Sequence, residues 1–560
     1  MDSTTTYTLT IIDTTGIQEY IFGSNRLREN IGASQQVSNA TGAYVQQALQ
    51  DALAEAHVDL SKEPPLESTP NQRCEVIYAG GGNVLLLFRT LADAKATVRE
   101  LSRLLHIHAP GLRIAAAHHE FNWATEDIGL RGSKPGVLAH LYEQLGQRKQ
   151  FRLPDATPLA LGVTLACTST GLPAVARDKD DPDQDPPRFI SAPTVGKRNA
   201  RADADTHFRN LLEEIPTQYA IPKDFDDLGR SRDQQSYIAV VHIDGNGMGK
   251  RFEQAGASAT TNRAFITAVR DLSAQVNKAS QEALSRTLEA LNACFLKGQG
   301  TLAAQQIWYD TKDQLLRSLS RDKDPPYLPF LPFRPLVFGG DDVTFVCDGR
   351  LGLALAHCFI HEFEQATSTL PQGGTAYACA GVAIVKSHYP FARAYALAAD
   401  LCQNAKRALR KDEIKNCSAL DWHIVASGRT DSISEIRKRE YAGSKPNDTL
   451  TARPLLLCDL PPDHKHYSDW QHRTWAQLRA TVYQFNYSDE WRERRNKVIA
   501  LREVLRQGAD AVDQFKVRYK IETPLPHDNH AVLFDAIETM EFLLPLEPPV
   551  LDAEEQTTHA

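Results

Sequence analysis

One order of predicted elements occurs twice along the chain, and this repeat limits the possible folds more than any other feature. The first copy consists of a strand at 7–13, a long helical stretch from 17 to about 56, two strands around a Gly-Gly-Gly-Asn turn at 74–88, a helix at 91–105 and a strand at 112–121. The order is therefore β-α-β-β-α-β, which is typical of a split β-α-β unit.

The second copy begins with a strand at 236–244, and its first helix carries apolar residues every three or four positions. A strand-turn-strand pattern at 335–347 (PLVFGGDDVTFVC), a helix at 351–368, a strand at 375–385 and a helix at 390–410 complete it. The repeat predicts an α+β fold with two ferredoxin-like domains, in which the end of the first strand lies beside the hairpin turn.

The repeat divides the 560 residues into four segments. We predict a first ferredoxin-like domain at 1–150, a helical or linker region at 151–235, a second ferredoxin-like domain at 236–427 and a helical C-terminal domain at 428–560. The acidic, Pro-rich segment 176–189 is expected to be an exposed loop, and the tail 552–560 is expected to be disordered.

Carboxylates gather at the second hairpin. Asp244 ends the first strand of the second copy, and Asp341 and Asp342 stand side by side in the hairpin turn. Like charges at the centre of a hairpin repel each other, and this is tolerated when a cation holds them together. Oxygen ligands of this kind suit Mg²⁺ or Mn²⁺, so we predict that Asp244, Asp341 and Asp342 are catalytic metal ligands.

Glycines precede these aspartates. Because Gly339 and Gly340 have no side chains, a triphosphate can approach the backbone closely at these positions. We therefore predict that both bind nucleotide. Two metal ions at such a site can activate an attacking oxygen and stabilise a leaving one during displacement at phosphorus. A Gly-Gly-Asp-Asp sequence also occurs as ordinary turn chemistry, and the placement of Asp244 favours the metal site over that reading.

Composition excludes other classes of protein. The net charge of −8 argues against a wholly basic nucleic-acid binder, and no apolar run approaches the roughly 18 residues of a membrane span. The nine cysteines form no Cys-x-x-Cys pair and several lie in apolar runs. We therefore expect buried free thiols in a cytoplasmic protein, with neither a disulfide framework nor a zinc site.

The motifs HIDGNGMGKRF (242–252) and FGGDD (338–342) resemble the catalytic palm of the large polymerase–cyclase subunit of type III CRISPR effector complexes. Residues 11–34, with Gly-Ile-Gln near the strand end, resemble the first palm of that family. Asn246 replaces the usual second aspartate of the first motif. The first palm begins at about residue 7, so the resemblance implies a form without the N-terminal HD nuclease domain.

The resemblance implies a nucleotidyltransferase that joins ATP into a cyclic or short oligoadenylate messenger and uses two Mg²⁺ or Mn²⁺ ions. It also implies guide-RNA-bearing effector subunits and target RNA as partners, and no membrane. Lys406 lies on a helix similar to the Ala-Lys helix of palm-type cyclases, where the lysine meets the triphosphate. Lys250 is a weaker candidate for the same role.

The first palm keeps Asp13, but its turn reads Gly80-Gly81-Gly82-Asn83 and has lost both hairpin carboxylates. We predict that it does not bind the catalytic metals, and that Gly81 and Gly82 leave room for a second nucleotide.

Two other functions remain open. One is a non-catalytic scaffold subunit of an RNA-guided ribonucleoprotein complex, and the intact Asp341-Asp342 pair argues against it. The other is a diguanylate-cyclase-like enzyme, against which the tandem palms within one chain argue.

Overall fold

The structure is a computed structural model of the chain. It describes residues 5–55, 64–129, 135–150, 162–178, 187–212, 219–229, 236–296, 307–310, 314–318, 330–371, 373–425, 432–444 and 449–546. The tail 552–560 therefore lies outside the described residues. None of the helices in the described ranges is long and apolar enough to cross a membrane.

The first palm is a four-stranded antiparallel sheet with the order β2-β3-β1-β4. Its elements are β1 (Thr6–Thr15), α1 (Ile17–Phe22), α2 (Leu27–Thr41), α3 (Ala43–Leu53), β2 (Cys74–Gly80), β3 (Asn83–Phe88), α4 (Leu91–His108), β4 (Arg113–Asn122) and α5 (Val137–Gln150). The predicted order of strands is confirmed. The predicted long helical stretch is three helices, because the chain turns at Gly23 and again at Gly42.

The region between the palms contains a small hairpin and a long helix: β5 (Ala174–Arg177), β6 (Phe189–Ser191), α6 (Ala192–Leu212) and α7 (Asp226–Gly229). The expectation of an exposed acidic loop is wrong for Asp178, which is buried and paired with Arg198 and Arg188. Residues 179–186 of that loop lie outside the described ranges.

The second palm has a six-stranded sheet with the order β11-β12-β7-β13-β14-β15, beside a small sheet of β8, β9 and β10. Its elements are β7 (Tyr237–Gly245), α8 (Met248–Ala257), α9 (Asn262–Ala293), β8 (Phe295–Leu296), β9 (Ile307–Asp310), β10 (Gln314–Ser318), β11 (Phe333–Gly339), β12 (Asp342–Asp348), α10 (Gly352–Ala366), β13 (Ala378–Lys386), α11 (Phe391–Lys411), β14 (Ala419–Ile424) and β15 (Leu455–Leu456). The α+β prediction of two palm sheets is confirmed.

The C-terminal part is mainly helical, as predicted. It contains α12 (Ile433–Glu440), α13 (Tyr467–Trp470), α14 (Trp475–Tyr487), α15 (Arg495–Leu505), α16 (Ala509–Arg518) and α17 (His530–Thr539). These helices share one apolar core with the α9–α10 side of the second palm. The four domain bounds given above remain predictions.

Two cysteines correct the expectation of free thiols. Cys417 and Cys458 form a disulfide, although 41 residues separate them in sequence. Cys417 lies just before β14 and Cys458 just after β15, and the pairing of Ala419 with Leu456 brings them together. The sequence contains no local signal for this pair, because β15 is only two residues long.

The palms pack against each other reciprocally. In each palm the second helix after the first strand contacts the outer hairpin strand of the other palm: α9 packs on β2, and α2 packs on β11. Glu75 of β2 is completely buried and receives Arg263 Nη1 at 2.7 Å and Arg270 Nη2 at 2.8 Å, both from α9. These ion pairs join the hairpin of the first palm to a helix of the second.

We expect Glu75→Gln to loosen this interface. Removing one partner of a buried ion pair leaves the other charge poorly compensated and costs about 3–5 kcal/mol. The unfolding temperature measured by calorimetry should therefore fall by roughly 5–10 °C. The matched control is Glu282→Gln, which breaks an exposed pair with Arg286 and should leave that temperature close to the wild-type value. Equal effects of the two substitutions would contradict the importance of the Glu75 contacts.

Candidate active site at the second hairpin

Strand register brings the predicted carboxylates of the second palm together. Asp342, the first residue of β12, is directly opposite Asp244 near the end of β7. Asp341 occupies the turn, where its carbonyl accepts a hydrogen bond from Gly245 N at 3.2 Å. Gly340 turns the chain with φ of +65°, a conformation that glycine adopts without steric cost. Three carboxylates are thus gathered at one end of the sheet.

The Asp342 carboxylate is poorly compensated. Its side chain is 50% exposed, but its Oδ1 is enclosed and has no hydrogen-bond partner. Burial, then the neighbouring Asp244 and Asp341, raise the pKa of Asp342 to about 7. His242 Nδ1 lies 3.5 Å from that oxygen, but burial lowers the pKa of His242 to about 4, so the ring is neutral at pH 7. An added cation would therefore relieve an electrostatic cost at this point.

Lys406 contributes a positive charge to the site. Its Nζ lies 2.6 Å from Asp244 Oδ2 and 2.8 Å from the carbonyl of Gly245, and its side chain is only 5% exposed. Gly381 of β13 allows α11 to approach this closely, because a Cβ there would lie 1.9 Å from the carbonyl oxygen of Ala398. The predicted phosphate lysine is therefore held against a predicted metal ligand, and its contact with phosphate remains a prediction.

The donor set fits a divalent cation. Carboxylate oxygens are the ligands that Mg²⁺ and Mn²⁺ prefer, and Asp342 Oδ1 lacks a partner. Across the described ranges, no three His, Cys, Asp or Glu side chains are arranged so that they could hold a metal ion as they stand, so the three aspartates would have to adjust to bind one. Asp244 already forms an ion pair with Lys406. To bind a metal ion, this carboxylate has to keep Lys406 on one oxygen and use the other, or release Lys406.

The remaining predicted residues of this palm lie at the hairpin and on the elements that follow β7. Gly339 packs against the first palm, as described below. Lys250 is exposed in the first turn of α8, which begins after Gly247 in the left-handed conformation. Asn246, which stands where the resembling family has an aspartate, is hydrogen-bonded through its backbone N to the carbonyl of Tyr377. Its side chain interacts with the thiol of Cys379.

The first palm repeats this backbone with different side chains. Asp13 is opposite Asn83, and Thr14 N donates to the carbonyl of Gly82 at 2.8 Å, as Gly245 does to Asp341. Gly81 has φ of +58°, close to that of Gly340. A Cβ on Gly82 would lie 2.4 Å from Ile17 Cδ1, so the aspartate of the second palm does not fit here without movement.

Sequence reasoning missed the partner of Asp13. Lys149 Nζ, on α5, lies 2.6 Å from Asp13 Oδ2. The signal that could have found it is the second palm itself, where the helix after the fourth palm strand carries Lys406 in the same relation to Asp244.

The two hairpin tips meet. A Cβ on Gly339 would lie 3.8 Å from the backbone N of Gly81. Tyr78 of β2 donates its hydroxyl to the carbonyl of Gly80, and burial followed by the charge of Asp341 raises the pKa of Tyr78 to about 12. The first palm therefore forms part of the immediate surroundings of the second hairpin.

A cleft of about 440 Å³ lies between the palms. Ser34 and Gln35 of α2, Gln281 of α9 and Phe338 of β11 are among the residues that line it. Asn277, one turn before Gln281, has its Oδ1 3.8 Å from the position that a Cβ of Gly340 would take. The cleft therefore lies beside the second hairpin, of which Phe338 is part. None of these lining residues was predicted, because they come from four separate elements.

Two ferredoxin-like sheets in one chain, with carboxylates at the strand ends of the second, define a tandem palm protein. Residues 237–415 match the family described as Cas10/Cmr2, second palm domain. This match confirms, for residues 237–415, the resemblance to the large subunit of type III CRISPR effector complexes that the sequence predicted.

The chain is also similar to solved structures. A Csm1-Csm4 cassette in complex with cA4 is 14% identical with a TM-score of 0.48, and the match covers 97% of this chain and 70% of that one. A Csm1-Csm4 cassette in complex with one ATP is 13% identical with the same score and coverage. A Csm1-Csm4 subcomplex of the type III-A CRISPR-Csm interference complex is 16% identical with a TM-score of 0.40, covering 95% and 70%. No curated protein matches the chain.

Proposed function

We propose that this protein is a metal-dependent nucleotidyltransferase that makes a cyclic or short 3′–5′ oligoadenylate from ATP in type III CRISPR defence, in the cytoplasm. One observation carries the proposal. Asp342 stands opposite Asp244, its Oδ1 is enclosed without a hydrogen-bond partner, and the hairpin tip of the first palm lies beside the same turn. A purely structural turn gains nothing from a carboxylate oxygen that is enclosed without a hydrogen-bond partner, because burying such a polar atom costs free energy.

In the reaction, the 3′-hydroxyl of one ATP attacks the α-phosphorus of another. A bond forms between that oxygen and phosphorus, the bond to the bridging oxygen breaks, pyrophosphate leaves, and the hydroxyl proton is released to solvent. When bound to Asp244, Asp341 and Asp342, Mg²⁺ or Mn²⁺ supplies activation of the attacking oxygen and stabilisation of the leaving one.

The chain itself positions the substrates. Gly339 and Gly340 leave space for phosphate at the catalytic turn, and Lys406 and Lys250 offer positive charge on the helices beside it. The first palm holds the second nucleotide near Gly81 and Gly82, which bring the acceptor close to the reacting phosphorus. Such positioning can supply several kcal/mol. Guide-RNA-bearing subunits and target RNA are the proposed partners that control this activity.

The experiment is to incubate the purified protein with each labelled nucleoside triphosphate and Mg²⁺ or Mn²⁺. The same reactions are repeated after assembly with the effector subunits, guide RNA and target RNA. ATP should give pyrophosphate and 3′–5′-linked adenylate products. Absence of any product in the complete complex would favour the scaffold function, and a product from GTP alone would favour the diguanylate-cyclase-like one.

A substitution that fills the cleft should weaken ATP use. Ser34 is half-buried on the cleft side of α2, and Ser34→Trp would place an indole within a space of about 440 Å³. We expect the KM for ATP to rise at least tenfold. The matched control is Gln50→Trp on the exposed side of α3, which should leave the KM unchanged. An unchanged KM in Ser34→Trp would show that nucleotide binds elsewhere.

A further inference from the structure

We propose that Lys149 is a phosphate-binding residue of the first palm, where it holds the triphosphate of the attacking nucleotide without a metal ion. The inference rests on the proposed function and adds the residue and the kind of contact by which the first palm takes its substrate. Lys149 touches a group at the predicted nucleotide site, because its Nζ lies 2.6 Å from Asp13 Oδ2 at the hairpin end of the sheet.

Topology makes Lys149 the counterpart of Lys406. α5 follows β4 and packs on β4 and β1, just as α11 follows β13 and packs on β13 and β7. Each helix presents one lysine to the aspartate near the end of the first strand of its palm. The two palms thus share the same backbone turn, the same aspartate and a lysine in the same relation to it.

The two lysines differ in exposure. The Lys406 side chain is 5% exposed and also donates to the carbonyl of Gly245, so it is fixed within the site. The Lys149 side chain is 40% exposed. A flexible ammonium group at a solvent-accessible position can leave one carboxylate oxygen and contact a phosphate at little cost. Lys149 is therefore the lysine of this pair that an incoming nucleotide can reach.

The net charge of the two sites also differs. In the second palm, three carboxylates outnumber the single positive charge of Lys406. The site is therefore negative overall, which favours the binding of metal ions. The first palm has Gly82 and Asn83 in place of two of those carboxylates, so Asp13 and Lys149 cancel. A triphosphate meets no net repulsion there, and no second carboxylate is present at the turn to hold a divalent ion. Binding at the first palm should therefore not need a metal.

The competing explanation is that Lys149 only neutralises Asp13. The test measures ATP binding by equilibrium dialysis in EDTA, so that catalysis plays no part. The wild-type protein should bind ATP, Lys149→Ala should bind at least tenfold more weakly, and Lys149→Arg should bind nearly normally. In the double variant Asp13→Asn/Lys149→Met the charge balance is kept but the cation is lost, and binding should stay weak.

Recovery of ATP binding in that double variant would overturn the proposal in favour of simple neutralisation. Wild-type protein that does not bind ATP in EDTA, or Lys149→Ala that binds as well as wild type, would also overturn it. Asp341→Asn/Asp342→Asn serves as the control: it should keep metal-free binding while losing synthesis. If the proposed function fails instead, metal-free binding by the wild type persists and no adenylate product forms in the complete complex.

Discussion

Replacing Asp341 and Asp342 together by alanine should abolish oligoadenylate synthesis, the largest effect that we expect from any substitution. The double variant loses two of the three carboxylates at the catalytic turn. Loss of metal ligands removes several kcal/mol of transition-state stabilisation, and each 1.4 kcal/mol is about tenfold in rate, so turnover should fall by roughly a thousandfold or more. Turnover is measured as labelled product formed from ATP with saturating Mn²⁺.

Folding should survive the same substitution. The raised pKa of Asp342, about 7, means that its ionisation opposes folding increasingly from about pH 4 to pH 7 in the metal-free chain. At pH 8 without metal, the double variant should therefore unfold at a temperature no lower than the wild type. Asp510→Ala/Asp513→Ala, on the exposed side of α16, is the control for general effects. Near-normal turnover in Asp341→Ala/Asp342→Ala would rule out this active site.

Asp244→Asn should also be severely impaired, whereas Asp13→Asn should be much milder. Asp244 faces Asp342 and holds the buried Lys406, so its loss removes a metal ligand and leaves an ammonium group poorly compensated. Asp13 has Asn83 opposite and an exposed lysine as its partner. We expect turnover to fall at least a hundredfold in Asp244→Asn and less than tenfold in Asp13→Asn.

Both substitutions conserve size and remove one charge from equivalent backbone positions, so each serves as the control for the other. Turnover and Mn²⁺ affinity should be measured for both. Equal loss of turnover in the two variants would mean that the catalytic and supporting roles of the palms are assigned wrongly.

Much of the fold could be predicted because local sequence patterns determine its strands, turns and helices. Two apolar strands around a glycine-rich turn specify a hairpin, and the split β-α-β order places the end of the first strand beside that turn. The convergence of Asp244 with the Asp341–Asp342 turn was predicted from this order, whereas the direct pairing of Asp244 with Asp342 is known only from the observed register. The break of the long helical stretch at Gly23 and Gly42 was less visible, because a single glycine is tolerated within many helices.

The parts of the site that escaped prediction depend on contacts between distant segments. Lys149 reaches Asp13 from 136 positions away, and nothing in the sequence around it marks it as different from other helical lysines. The cleft combines α2, α6, α9 and β11, so its lining emerges only when the palms pack together. Lys406 was predicted as a residue of the site, but its close contact with Asp244 depends on how near Gly381 lets α11 approach.

The central claim is that only the second palm binds the catalytic metals, and counting bound Mn²⁺ tests it most directly. The protein is titrated with Mn²⁺ in the presence of a non-hydrolysable ATP analogue, and bound ions are counted by electron paramagnetic resonance. We predict two ions per chain in the wild type and in Asp13→Asn, and loss of this binding in Asp341→Asn/Asp342→Asn. Unchanged Mn²⁺ binding in Asp341→Asn/Asp342→Asn, or its loss in Asp13→Asn, would contradict the claim.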